Sequence, residues 1–131
     1  MPHFHIDYSA NLEARLDIAA FCEVLREAAI ETGLFPLAGI RIRALRADHC
    51  VMADGNPDHA YLDLSIRLRA GREVAAKKAA TDHIFRAAER FCSDVLANSS
   101  FMLSMEMRDI DADLAPKTSS IRRYVTEAPA S

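Results

Sequence analysis

The chain has 131 residues, 50% of them hydrophobic, with 16 Lys and Arg against 19 Asp and Glu and a formal net charge of −3. That length suits one compact domain over 1–131 with a core of its own and excludes two large ones. The slightly acidic balance, without a basic run or a patch of cations interleaved with aromatics, excludes a nucleic-acid surface, and no long apolar span marks a membrane segment or a leader.

The second residue is proline, behind a Met1 of the kind that initiator processing trims before small residues. Loss of Met1 leaves a secondary amine on Pro2. An ordinary α-amine titrates near ~7.7, and burial or a neighbouring cation lowers that value by disfavouring the charged form. A neutral Pro2 nitrogen is then a general base at neutral pH, whereas a proline that affects only processing is the ordinary reading of such a dipeptide. The residues that follow bear on the choice. Phe4, Ile6 and Tyr8 alternate with His3, His5 and Asp7, the period of a half-buried strand, and a strand anchors a terminus that would otherwise fray.

Ile18, Phe21, Cys22, Leu25, Ala28, Ala29 and Thr32 recur at helical spacing, with Gly33 where a left-handed cap is expected and Pro36 beyond it. The next run alternates Ile40 and Ile42 with Arg41 and Arg43, which places both guanidinium groups on one side of a strand. A solvated face carrying two snorkelling arginines has the same pattern. Asp54 to Asp58 form a loop. Leu62, Leu64, Ile66 and Leu68 then alternate with polar residues, Ala70 and Gly71 turn, a helical stripe runs from Val74 to Val95, and Phe101, Leu103, Met105 and Met107 alternate in a last strand.

Strand-helix-strand is therefore written twice, over about 2–50 and 58–110, ahead of a polar tail at about 115–131. The class is α/β (α+β): a four-stranded sheet with two helices on one face, each crossover making its flanking strands parallel. The other sheet face is of mixed polarity and is expected to pack against copies of the chain. The last residues of the tail have a disordered composition, although Ile121, Tyr124 and Val125 can dock on a neighbour.

Cys22, Cys50 and Cys92 are widely spaced and odd in number, which points to a reducing, cytoplasmic setting. Cys22 and Cys92 fall on the apolar helical stripes, where free cysteine acts as a small hydrophobe. The five histidines lack ligand spacing, so no metal is expected, and with no nicotinamide fingerprint or P-loop no cofactor is expected either.

Taken together, PHFHIDYSANL, TGLFPLAGIRIR, MADG and AGR resemble the tautomerase superfamily and, within it, the 5-carboxymethyl-2-hydroxymuconate Δ-isomerases, in order along nearly the whole chain. The resemblance implies a trimer of doubled β-α-β chains, with Pro2 as catalytic base, Arg41 and Arg72 binding substrate carboxylates, and Arg43 as an accessory. It implies a cofactor-independent double-bond shift in a small unsaturated di- or tricarboxylic acid of aromatic catabolism, in the homoprotocatechuate pathway. One departure lies in the tail: family members tend to carry an Asn-Asn pair, a hydrophobic residue and His where this chain has Ser119, Ser120, Ile121 and Arg122. Two alternatives stay open at this point: a related tautomerase acting on another 2-oxo or 2-hydroxy unsaturated acid, and a noncatalytic trimeric binding protein.

Overall fold

Four alternating strands with one apolar edge each, and two helices with one apolar stripe each, bury those surfaces by layering the helices on the sheet. The computed structural model describes residues 1–125; the end of the polar tail, 126–131, lies outside the described residues. Strand β1 (His3–Ser9) leads through a 3-10 turn (Ala10–Ala14) to helix α1 (Ile18–Glu31), a second 3-10 turn (Leu37–Gly39) and β2 (Arg41–Ala47). The second unit is β3 (Ala60–Arg69), α2 (Val74–Phe91), a short α3 (Ser93–Asn98) and β4 (Phe101–Ile110), followed by 3-10 turns at Ala112–Leu114 and Ile121–Tyr124.

The sheet order is β2-β1-β3-β4. Strands β1 and β2 are parallel, as are β3 and β4, while β1 and β3 run antiparallel and join the two units. Phe4 and Ile6 of β1, Leu62, Leu64, Ile66 and Leu68 of β3, Phe21 and Leu25 of α1 and Ile84 of α2 are all buried between the layers. The helices meet through Phe21 and Phe91, whose ring centroids lie 5.7 Å apart.

Local chemistry sets the ends of α1. The Asp17 carboxylate accepts from the Ala20 N–H at 3.0 Å, satisfying one orphan donor of the first turn. Gly33, with φ +66°, supplies the left-handed residue beyond the last turn that a side chain adopts only with strain. The stripe expected from Val74 to Val95 is divided: Cys92, at φ −90° and ψ 7°, ends α2 and caps α3. Val95 is still buried, so the apolar periodicity survives a break in the backbone. Burial pushes the Cys92 thiol up to about 11, which leaves it an inert core group.

The opposite sheet face is uncovered by any described element. The registers place Arg41, His3, Arg67 and Arg108 in one row across it and Arg43, His5, Ser65 and Glu106 in the next. Leu45 and Met102, on the same face by register, are exposed. Phe21→Ala, which empties the fully buried position between the helices, is expected to lower the unfolding free energy by about 3–5 kcal/mol, measured as a fall in the urea midpoint at unchanged slope.

Candidate active site at the chain terminus

Pro2 precedes β1, where its lack of an N–H breaks no ladder bond. Its carbonyl accepts from the Arg41 N–H at 3.3 Å, and the residue is fully buried. The 3-10 turn at Leu37–Gly39 passes close beneath Met1: a Cβ built on Gly39 would stand 2.7 Å from the Met1 nitrogen. Glycine at this position thus leaves room for the Met1 backbone where the FPLAGIR segment meets the unprocessed terminus.

The terminal amine in this structure is that of Met1. Its pKa lies below the ordinary 8.0, first because of burial and then because Lys117, Arg41 and Arg72 repel the ammonium form. The Pro2 nitrogen, a peptide nitrogen while Met1 is attached, lies three bonds along the backbone from that amine. Two clefts flank Met1, of about 280 Å³ and 370 Å³. Both are lined by Met1, Arg41, Lys117 and Thr118. The first adds Arg122 of the tail and the second His3 and Arg67. Among the described residues no Asp or Glu lines either cleft, although acids outnumber bases in the chain.

Between the arginines lies His3, paired in register with Arg41 on one side and Arg67 on the other. The Arg41 Nη2 is 3.1 Å from His3 Nε2. Burial, then Arg41, Arg67, the terminal amine and Arg43, push the imidazole down to about 4, so it is neutral at physiological pH. With Nε2 accepting from a guanidinium that can only donate, the proton is assigned to Nδ1, and that buried nitrogen has no partner among the described residues.

Of the expected site residues, the structure brings Pro2 and Arg41 together at the terminus. Arg72 is held by backbone: its Nε donates to the Leu34 carbonyl at 3.2 Å and its Nη1 to the Arg69 carbonyl at 2.9 Å. It lines neither cleft, though its charge bears on the terminal amine. Arg43 is exposed two residues along β2, opposite His5, and also lines neither cleft. Sequence reasoning did not single out Arg67, Lys117 or Arg122 for this site. Arg67 carried a usable signal, since its polar position in the β3 alternation puts it on the face of His3. Lys117 and Arg122 are separate cations in a polar stretch, and only the path of the tail brings them to the amine.

The depressed His3 pKa has a stability consequence. Between about 4 and the ordinary value near ~6.5, the unfolded chain binds the proton that the folded chain refuses. The stability associated with neutral His3 is therefore fully present above the unfolded pKa and is lost as pH falls through this window. In an NMR titration the His3 ring is expected to stay neutral until about pH 4, and His3→Asn is expected to flatten the acid side of a stability profile.

Comparisons with known proteins agree with this geometry. A model of the 5-carboxymethyl-2-hydroxymuconate isomerase family matches residues 2–125. The chain is 28% identical over 121 residues to 5-carboxymethyl-2-hydroxymuconate Delta-isomerase of Escherichia coli, covering 92% of this chain and 96% of that protein. A crystal structure of a 5-carboxymethyl-2-hydroxymuconate delta-isomerase superposes with a TM-score of 0.90 at 26% identity, covering 99% and 96% of the two chains. The isomerase of Deinococcus radiodurans R1 gives 0.87 at 28%, covering 95% of each. The chain belongs to the 5-carboxymethyl-2-hydroxymuconate isomerase family and is an isomerase of the tautomerase superfamily.

Proposed function

We propose that the chain, once Met1 is removed, moves a proton along the conjugated system of a 5-carboxymethyl-2-hydroxymuconate-type acid, with the Pro2 nitrogen as base and return acid. The observation that carries this reading is the partly buried terminal amine, here that of Met1, whose pKa is lowered by burial and by Lys117, Arg41 and Arg72, between clefts lined by cations and, among the described residues, by no carboxylate. Met1 is a wall common to both clefts. Its removal takes away that wall and makes the Pro2 nitrogen the terminal amine.

The chemistry follows from that placement. Neutral Pro2 takes the proton of the 2-hydroxyl group, the electron pair shifts along the diene, and the prolinium returns a proton to a carbon farther along the chain, so that an enol becomes an unsaturated ketone. Arg41 grips a carboxylate by a charge-assisted, potentially bidentate contact and offsets the charge of the developing dienolate. Arg72 assists through its field on the amine and through the donors its backbone contacts leave over; Arg43 is an accessory farther along the same face. The same cations therefore bind the anion and keep the base unprotonated.

The assembly we propose is a homotrimer, as the family resemblance implies, in the cytoplasm, in keeping with three unpaired cysteines. The sheet face opposite the helices supports self-association, because it exposes Leu45 and Met102. Sedimentation is expected to give about three times the 14.5 kDa chain mass.

Intact mass and a pH profile of kcat/KM test the mechanism. Protein beginning at Pro2 is expected to isomerise the dienol and protein retaining Met1 to be inactive; equal rates would refute a proline base. A lowered amine pKa means that activity rises with pH through a value below that of an ordinary amine. Arg41→Ala removes one repelling cation, so its acidic limb is expected at higher pH, while Arg41→Lys keeps the limb near the parental position.

A further inference from the structure

We propose that the C-terminal segment is a specificity element, in which Arg122, with Lys117, holds a substrate carboxylate remote from the reacting carbon. The inference rests on the isomerase reading above and assigns it a second anchor, one suited to an acid carrying three carboxylates rather than two.

The segment reaches the site because the 3-10 turn at Ile121–Tyr124 packs against the turn at Leu37–Gly39. Arg122 thereby lines the same 280 Å³ cleft as Arg41 and Lys117. Three cations around one small cleft repel one another, and the structure offers them no internal relief. None of the three forms an ion pair among the described residues, whereas Arg26, Arg46, Lys77 and Arg108 each have a carboxylate partner elsewhere. An anion entering the cleft supplies the missing charge. Ser119 and Thr118 line it too and add hydroxyl donors.

The cations are not equivalent. Lys117 lines both clefts and leads the charges that lower the amine pKa. Arg122 lines only the first and is not among those charges. Loss of Lys117 should disturb both binding and the pH profile; loss of Arg122 should disturb binding alone. Arg122 is a permanent cation with a planar fork.

The test uses the processed protein with 5-carboxymethyl-2-hydroxymuconate and with 2-hydroxymuconate, which lacks the third carboxylate. Arg122→Gln is compared with Arg123→Gln, which removes the same charge from the same turn outside the cleft. Arg122→Gln is expected to raise KM for the tricarboxylate about tenfold or more, the scale of one charge-assisted contact, leave KM for the dicarboxylate unchanged and leave the acidic limb in place. Arg123→Gln is expected to match the parent. Parental kinetics in Arg122→Gln, an equal loss on both substrates, or an equal loss in Arg123→Gln would overturn the assignment while leaving the proline mechanism standing. If the parent turns over neither acid, the isomerase reading fails instead. Calorimetry with propane-1,2,3-tricarboxylate and glutarate then decides the anchor: a loss in Arg122→Gln confined to the tricarboxylate supports it, and any other pattern overturns it.

Discussion

The tie between the first residues and the sheet is the constraint on which the site depends. A chain terminus has no covalent neighbour on one side and ordinarily samples many conformations, yet a base must be held close to the proton it takes. Here β1 is an interior strand, flanked by β2 on one side and β3 on the other, and the Arg41 N–H extends the ladder to the carbonyl of Pro2. Hydrogen bonding on both edges of β1 and burial of Phe4 and Ile6 beneath it fix the backbone up to the residue that would carry the amine.

Electrostatics then follows from position. The terminal amine, Arg41, Arg67, Lys117 and Arg122 are gathered at one end of a molecule whose net charge is negative. Burial first, and then that field, make a proton unwelcome there, which is why both the amine and His3 have lowered pKa values. His3 answers by staying neutral and accepting from Arg41, so it orients a cation without adding another. A protonated His3 would face two arginines across the sheet.

Legibility in the sequence tracked how local the cause was. Strands β1 and β3 were plain because one face is buried and the side-chain period of two shows directly, and α1 was plain because its stripe and its Gly33 cap lie within one stretch. The break at Cys92 was hidden, since Val95 stays buried on the far side of it and the apolar pattern does not change. Pro2 and Arg41 were visible through residue type and strand alternation. The backbone role of Arg72 was not, because its partners Leu34 and Arg69 are set by the packing of a loop against a strand end. Lys117 and Arg122 were illegible for a stronger reason: nothing within a polar tail says where it turns back.

Topology explains why so many separate segments meet the amine. Since β1 and β2 are parallel and β3 runs antiparallel to β1, the starts of β1 and β2 and the end of β3 share one edge of the sheet. Parallel pairing of β4 with β3 sends the end of β4 to that edge as well. The turn before β2 brings Gly39 and Arg41, the end of β3 and its following turn bring Arg67 and Arg72, and the chain leaving β4 at Ile110 has no other place to begin than beside the terminus. Four chain segments far apart in sequence are thus delivered to one place by the strand order alone. Arg122 reaches the cleft from a tail outside the sheet, while the backbone of Pro2 is held at the start of β1 by the Arg41 N–H.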